Sequence, residues 1–345
     1  MGIDLIPLRR SLLVGTGGIG SGMFLELQGD ETLGRNESRA VRWREFRDYC
    51  KLHIVAHYPA VLLRDRLTVL PVGRVGADDV GRRMKGEMTE AGMDVSFVTE
   101  TAGARTLFSV CFLYPDGAGG ILTGSRSASD RVEPADVEAV AARCAGAPGG
   151  GIALAAPEVP LAARVRLLEL ATGWGFFRAV AVRSGEVEEA VQAGLFRAAD
   201  LVSLNEDEAR TLAAAPAQAR AEDCLDAVAR RLKAEQPAVR IAVTAGRRGA
   251  HVWTAGRWTV VAPCPAEAVN TAGAGDAFLG GLLTAEAAGL PIVPDGAQLA
   301  TLIASAKVTS RDTIHLGLNR ALLRRHAEAA GFVPAPGVTA FLRAA

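Results

Sequence analysis

Residues 270–278 read NTAGAGDAF and precede a helix-compatible stretch, LGGLLTAEAAGL. Gly273 and Gly275 permit a tight turn and leave backbone N–H groups unobstructed at the start of the predicted helix. A helix N-terminus carries partial positive charge, so Gly273, Ala274 and Gly275 predict an anion-binding turn. A carboxylate at Asp276 is poorly suited to phosphate binding, so we interpret it as the base that takes a proton from an attacking hydroxyl. The alternative is an ordinary glycine-rich helix start capped by Asp276.

Composition favours a small-molecule partner. The chain has 345 residues, 49% of them hydrophobic, which is enough for a large core in a single domain over residues 1–345. Lys+Arg and Asp+Glu both number 38, so net charge predicts neither nucleic acid nor an anionic membrane as partner. The five cysteines form no CxxC pair, which favours a reducing cytoplasm. We see no apolar run near the ~18 residues of a membrane span.

Short aliphatic runs alternate with amphipathic segments along most of the chain. This pattern is typical of βαβ units on a mainly parallel sheet, so we predict a doubly wound α/β fold. The predicted strands are 12–14, 67–72, 151–155, 176–182, 201–204 and 240–244.

Two segments interrupt the alternation. Residues 26–48 are polar, rich in charge and predicted to contain no strand, and residues 105–126 form a predicted hairpin around YPDGAGG. We expect the two segments to form an appendage. A further hairpin is predicted around Ala255 and Gly256.

Asn205 and Glu208 lie in SLNEDEARTL, at a predicted strand-to-helix turn. Their spacing places an amide and a carboxylate one helical turn apart, which suits orientation of Mg²⁺ and its waters beside phosphate. The alternative is an acidic helix start that favours the helix dipole.

Residues 15–20 read GTGGIG and fit the dinucleotide-binding pattern G-x-G-x-x-G. A dinucleotide fold also requires a helix and a second strand that ends in an acidic residue about 20 positions on. The expected absence of a strand in 26–48 argues against it. An NAD(P)-dependent oxidoreductase is therefore kept only as an alternative.

His53 and His57 lie four residues apart in KLHIVAHYPAVLL, on one face of a predicted helix. A zinc pair is disfavoured, because HExxH would require a Glu between them and a third ligand is not evident. The plain alternative is two partly buried helix histidines.

NTAGAGDAF is similar to the second signature of the ribokinase-like (PfkB) carbohydrate kinases, Asp-Thr-x-Gly-Ala-Gly-Asp-x-Phe, and departs only in its leading Asn270. VGRVGADDVG, from Val72, resembles the family's Gly-x-x-Gly-x-Asp-x-x-Gly unit. Asn205 and Glu208 match its Asn-x-x-Glu motif. These matches follow one another in the family's order, and the resemblance extends from about residue 67 to residue 307.

VTAGRRGAHVW resembles the family's nucleotide-holding turn through Thr244, Gly246 and Gly249. The resemblance implies a Rossmann-like, ribokinase-like kinase domain with a small β lid made from 26–48 and 105–126. It implies ATP bound by Asn205, Glu208, Thr244, Gly246, Gly249, Gly273, Ala274 and Gly275.

The resemblance further implies Mg²⁺ near Glu208, and many relatives use a monovalent cation such as K⁺ near the loop 270–272. Asp276 would take the hydroxyl proton as the γ-phosphoryl group moves to a small sugar-like acceptor. A homodimer through the lid is a further option.

The acceptor side departs from the family pattern. The first-strand Asp is missing around Gly20 and Ser21, and the Gly-Gly-x-x-x-Asn grip is replaced by His53 and His57. These four residues are predicted to contact the acceptor. Sugar, modified sugar, cyclitol and nucleoside acceptors stay open, as does a catalytically silent ligand-binding relative.

Overall fold

A computed structural model describes residues 8–344 except 30, 31, 65, 117, 118, 148, 149 and 217. The strands are β1 Leu12–Thr16, β2 Gly20–Leu27, β3 Val41–Tyr49, β4 Thr68–Gly76, β5 Val98–Thr101, β6 Leu107–Leu113, β7 Gly119–Thr123, β8 Gly151–Ala155, β9 Phe177–Ala181, β10 Leu201–Asn205, β11 Arg240–Thr244, β12 Ala250–Thr254 and β13 Arg257–Val261. The helices are α1 Lys51–Leu62, α2 Asp79–Glu90, α3 Pro134–Glu138, α4 Ala141–Ala145, α5 Leu161–Gly173, α6 Val187–Gln192, α7 Glu206–Leu212, α8 Ala221–Glu235, α9 Ala274–Ala287, α10 Ala297–Val308, α11 Arg320–Ala329 and α12 Pro336–Arg343.

The larger sheet has nine strands in the order β13-β12-β11-β10-β9-β8-β1-β4-β5. Strands β4, β5 and β8 to β11 run parallel to β1 through their neighbours, and β12 and β13 add an antiparallel edge. All six predicted strands lie in this sheet, and the predicted doubly wound α/β fold is confirmed.

Helices cover both faces of the larger sheet, which explains why central strands such as β1 and β8 are fully buried and mostly apolar. Leu13 belongs to the core shared with α1, α9 and α10. Leu12 and Val14 point to the opposite face, into a core shared with α5. Within the larger sheet, the strand that follows β1 in the chain is β4, on one side of it, and the strand that follows β8 is β9, on the other side. The direction in which successive strands are added therefore changes between β1 and β8. Ligands of open α/β sheets bind at such a switch point, beside the carboxyl ends of the strands.

A second, smaller sheet has the order β3-β2-β6-β7. The hairpin predicted in 105–126 is present as the antiparallel pair β6 and β7. The predicted absence of strands in 26–48 is wrong, because β2 extends into this segment and β3 occupies most of its second half. Charged side chains on the exposed edge strand β3, VRWREFRDY, conceal its strand character, and edge strands commonly carry such charges.

The GTGGIG segment connects β1 to β2 and starts no helix, so the dinucleotide-binding alternative lacks its strand-turn-helix unit. The hairpin between β12 and β13 is also present, and Ala255 and Gly256 adopt φ values of 51° and 80° at its two-residue turn.

All five cysteines are buried and free. Among the described residues, we find no helix with the length and hydropathy needed to cross a bilayer.

Candidate active site

The glycine turn at the start of α9 is open where phosphate would bind. Gly273 caps the helix with φ 79°, and a Cβ added there would lie 2.5 Å from the Thr313 carbonyl oxygen, so only glycine fits. Ala274 is the first helical residue. A Cβ added at Gly275 would approach nothing closer than Thr244 Oγ1, at 3.5 Å. The N-terminus of α9 therefore presents backbone N–H groups without an obstructing side chain.

Neighbouring strands bring the predicted nucleotide residues to this turn. Asn205 and Thr244 end β10 and β11 and are direct partners in the parallel ladder. Gly246 and Gly249 follow with φ values of 55° and 89°, and a Cβ at Gly249 would overlap the Val261 carbonyl. Asn205, Thr244 and Gly275 consequently line one end of the sheet.

Asn205 and Glu208 cap α7 reciprocally. Asn205 Oδ1 accepts a hydrogen bond from the Glu208 N–H at 2.8 Å, and Glu208 Oε2 accepts one from the Asn205 N–H at 2.8 Å. Burial raises the pKa of Glu208 to about 7. Within the described ranges no group of three metal-ligating side chains occurs. One carboxylate fits Mg²⁺ that is held largely by nucleotide phosphates and water, which is how this ion usually binds.

Asp276 forms an ion pair with Lys51, the first residue of α1. The Lys51 Nζ lies 3.0 Å and 3.2 Å from the two Asp276 carboxylate oxygens. Burial opposes the charge of Lys51, but the Asp276 and Glu158 carboxylates outweigh it and raise the pKa of the ammonium. The pair joins the N-termini of α1 and α9. The sequence motifs do not identify Lys51. The sequence does offer a hint to this residue, because lysine is rare in this chain and Lys51 directly precedes LHIVAHY.

Glu158 is the second site residue that the motifs do not identify. It follows β8 at the switch point, has φ 75°, and accepts a hydrogen bond from the Lys51 backbone N–H at 3.0 Å. A Cβ at Gly18 would overlap its side chain. Burial raises the pKa of Glu158 to about 7, although the Lys51 N–H and ammonium act in the opposite direction. A glutamate held in left-handed backbone beside a helix N-terminus is typical of functional sites.

Gly20 and Ser21 begin β2 and are already engaged within the protein. A Cβ at Gly20 would overlap the Leu107 carbonyl. The Ser21 hydroxyl donates to the Asp48 carbonyl at 3.2 Å and accepts from Arg83 at 2.6 Å. Their acceptor contacts stay a prediction, and the structure places the hydroxyl of Ser21 in bonds between β2, β3 and α2.

Asp48 brings a further carboxylate to the base of the smaller sheet. The side chain is buried, and burial raises its pKa, while Cys111, Thr313 and Lys51 favour the charged form. Cys111 Sγ donates to its Oδ2 at 3.5 Å. The first strand lacks an acidic residue, but β3 supplies one near Lys51.

His53 and His57 are both buried on α1. His53 packs edge-on against Tyr49 with ring centroids 5.0 Å apart, and His57 packs edge-on against Tyr58 at 5.5 Å. Burial lowers the pKa of His53 to about 3 and that of His57 to about 4, so both rings are neutral near pH 7. Their contact with an acceptor stays a prediction.

His57 borders a cavity of about 430 Å³ between α1, α2 and β3. Arg47, Arg64, Arg83 and Glu87 contribute to its wall, and Lys51 and Asp276 do not. The cavity therefore does not include the ion pair between Lys51 and Asp276.

The loop expected to bind a monovalent cation already contacts a positive charge. Lys307 is fully buried, and its Nζ donates to the Asn270 carbonyl oxygen at 2.7 Å. The Asn270 side chain donates to the Arg311 carbonyl and accepts from the Ala272 N–H. Two unit charges about 4 Å apart repel by about 4 kcal/mol at an effective dielectric constant near 20. The Asn270 carbonyl therefore does not fit a free K⁺ ion beside Lys307.

Comparison with known proteins identifies the family. The profile of the pfkB family carbohydrate kinases matches residues 55–319, and the chain belongs to this family. Its resemblance to ribokinase-like kinases is thus confirmed. No curated protein sequence matches the chain significantly.

Solved structures share the fold at low identity. Giardia lamblia ribokinase has a TM-score of 0.77 at 17% identity over 91% of this chain and 99% of its own. Arabidopsis thaliana ribokinase, complexed with ribose and ATP, has a TM-score of 0.71 at 20% identity over 92% and 98%. Burkholderia thailandensis nucleoside kinase, in complex with inosine, has a TM-score of 0.71 at 18% identity over 93% and 99%.

We predict that Gly275→Ala weakens ATP binding while preserving stability, because the protein itself leaves room for the new methyl group and only a bound phosphate would be displaced. Gly273→Ala should instead destabilise the fold, because it combines φ 79° with an overlap on Thr313. Calorimetric ATP titration and thermal unfolding separate the two effects. Gly173→Ala, on α5 with open space around it, is the control. Unchanged ATP affinity in Gly275→Ala would place the phosphates elsewhere.

We predict a pH-dependent stability effect of Glu158→Gln. The folded-state pKa of about 7 exceeds the ordinary value of 4.5, so the unfolded chain loses this proton first and stability falls as pH rises across that window. Glutamine removes this loss, so the variant should exceed the wild type in stability at pH about 8 and the difference should shrink in acid. Chemical denaturation across pH measures it, with the exposed Glu169→Gln as control. A difference independent of pH contradicts the assignment.

Proposed function

We propose that this PfkB-family kinase transfers the γ-phosphate of ATP to a hydroxyl group of a small sugar-like acceptor. The observation that carries the proposal is the position of Asp276, one residue after the open turn at Gly275 and 3.0 Å from Lys51. A carboxylate, an ammonium group and a helix N-terminus thus converge at the carboxyl end of the sheet. This combination suits phosphoryl transfer, where positioning and charge stabilisation dominate.

In the proposed reaction the acceptor oxygen bonds to the γ-phosphorus as the bond from that phosphorus to the β-phosphate oxygen breaks, and ADP leaves. Asp276 takes the hydroxyl proton. The N–H groups at the start of α9 stabilise negative charge on the transferring group. Lys51 orients the Asp276 carboxylate through their ion pair until the acceptor hydroxyl arrives.

Glu208 is the residue that would hold Mg²⁺, near Asn205 at the end of β10. The ion would neutralise phosphate charge during transfer. Burial raises the pKa of Glu208, and a bound cation would favour its ionised form.

We propose that the smaller sheet acts as the lid over the acceptor. Its base is tied to the loop beneath the glycine turn, because the Tyr49 N–H donates to Thr313 Oγ1 at 2.9 Å and the Arg47 N–H donates to Asp312 at 2.8 Å. Thr313 in turn packs on Gly273. Movement of the lid would therefore reach the phosphate site, and closure would exclude water.

Asp48 and Glu158 are the proposed partners of the acceptor hydroxyls. Both are carboxylates close to Lys51, Asp48 buried and Glu158 partly buried, and carboxylates accept strong hydrogen bonds from hydroxyl groups. A cyclitol, a modified sugar and the ribose of a nucleoside all present such hydroxyls. The nucleoside alternative is supported by the solved nucleoside kinase of the same fold, which contains inosine.

We predict that Asp276→Asn lowers kcat by roughly 10²–10⁴-fold, because it preserves shape but removes the base. ATP affinity should change little. Steady-state kinetics and calorimetry test this, with the exposed Asp226→Asn on α8 as control. A variant that retains near-normal kcat would end the assignment of Asp276 as base.

The substrate proposal is tested by an ADP-release screen across sugars, cyclitols and nucleosides. We expect ribose and fructose to be poor acceptors by about 5–150-fold in kcat/KM, because an unpaired buried polar group costs roughly 1–3 kcal/mol. Asp48→Asn, Glu158→Gln and His57→Ala should be compared on the best acceptor. If His57→Ala leaves all acceptors unaffected, the histidines serve helix packing. If no acceptor in a broad panel stimulates ADP release, the kinase proposal is contradicted.

A homodimer through the lid is also proposed, because edge strands β3 and β7 expose Trp43, Ile121 and Leu122 by 65%, 63% and 62%. Trp43→Glu should convert a dimer into a monomer in light scattering. Val260→Glu, at an equally exposed site on β13, is the control. A monomeric wild type would rule out this assembly.

A further inference from the structure

A buried ammonium group lies beneath the loop that leads into the phosphate-binding turn. Lys307 lies in the last turn of α10, is fully buried, and donates through Nζ to the Asn270 carbonyl oxygen at 2.7 Å. Three residues further along the chain, Gly273 caps α9. The ammonium thus contacts the segment that sets the position of this cap.

Lysine is rare in this chain, which makes its use at this place informative. Of the 38 Lys and Arg residues, only Lys51, Lys85, Lys233 and Lys307 are lysines. Lys85 forms an ion pair with Glu100 at 3.2 Å, and Lys233 lies over the Trp253 ring. The other two lie at the candidate active site. Arginine carries a wide planar fork, whereas lysine supplies a compact point charge that resembles a small monovalent cation.

The segments 269–273 and 307–313 are bound together around this charge. The Val308 carbonyl accepts from the N–H groups of Val269 and Asn270 at 2.8 Å and 3.1 Å. The Asn270 side chain donates to the Arg311 carbonyl at 2.6 Å. The Lys307 Nζ adds a charged bond to these neutral ones, at a backbone oxygen of the kind that coordinates K⁺.

Nearby carboxylates favour the charged form of Lys307. Burial lowers its pKa to about 8, and the opposing influence of Asp276, Asp312 and Asp48 keeps it from falling further. Lys307 is therefore mainly an ammonium near neutral pH.

We propose that Lys307 acts as a built-in monovalent cation. Its ammonium group positions the loop 270–273 and adds positive charge behind the glycine turn, so nucleotide binding and turnover need no free K⁺. Lys307 is a positioning residue, since its bond is to Asn270. The proposal rests on the proposed ATP-dependent function and adds a specific ionic property to it.

The wild type is tested first, in buffers whose cation is Na⁺, K⁺, NH₄⁺ or the bulky tetramethylammonium ion. Calorimetry gives the Kd of a non-hydrolysable ATP analogue, kinetics give kcat, and thermal unfolding gives Tm. We expect all three quantities to change little among the cations.

Lys307→Ala should create a cation requirement, because it removes the charge and leaves space. In tetramethylammonium its kcat should fall about 10–100-fold, the scale expected when a distant change misplaces reacting groups. K⁺ or NH₄⁺ should restore kcat, lower the Kd of the ATP analogue and raise Tm. Each effect should saturate as the cation concentration rises. Lys307→Met fills the space without charge and should not be rescued. Lys233→Ala should behave as the wild type.

Three outcomes would contradict the proposal that Lys307 acts as a built-in cation. They are a wild type that needs K⁺, a Lys307→Ala variant whose kcat does not depend on the cation, and equal rescue of the Ala and Met variants. If the Ala variant fails to fold, the wild-type measurements still test the proposal, because a K⁺ requirement of the wild type would contradict it. A wild type that binds no ATP analogue in any buffer would overturn the proposed function, and this inference with it.

Discussion

The ion pair between Lys51 and Asp276 is the interaction around which the site is organised. It joins the first residue of α1 to the first turn of α9, at the carboxyl ends of the paired strands β1 and β8. Two helix N-termini with like partial charges meet there, and the Asp276 and Glu158 carboxylates offset them. Loss of the Asp276 carboxylate would leave the Lys51 ammonium without its ion-pair partner in a partly buried place. The glycine turn is consequently held at a fixed distance from the proposed acceptor side.

The balance of charge in this region also suits the proposed phosphate ligand and divalent cation. Glu158 and Glu208 both have pKa values raised to about 7, because burial penalises their ionised forms. Lys51 stays protonated near neutral pH because of its carboxylate partners, and Lys307 stays protonated despite its burial. A site with these groups gains from a ligand that brings negative phosphate to the ammonium groups and a cation to the glutamates.

Strand prediction succeeded in the larger sheet and failed in the smaller one for a clear reason. Strands buried between two helical layers are uninterrupted apolar runs, as in GIALA of β8, and such runs are visible in any sequence. Strand β2 is only partly buried, and β3 is exposed at four consecutive residues, 42–45, and carries five charged residues among its nine. Their pairing is non-local, since β2 pairs with β6, far along the chain. Only the tertiary structure supplies the partner that makes these segments strands.

The sequence by itself determined the α/β architecture, the glycine turn with Asp276, and the helix cap formed by Asn205 and Glu208. Each depends on residues adjacent in the chain, where local backbone geometry and helix capping act. Only the tertiary structure revealed Lys51, Glu158, Asp48 and Lys307 as neighbours of that turn, and placed both predicted histidines among core aromatic rings. Lys307 lies 37 positions from Asn270 and Lys51 lies 225 positions from Asp276. Contacts at such separations arise from helix and sheet packing, which no local pattern encodes.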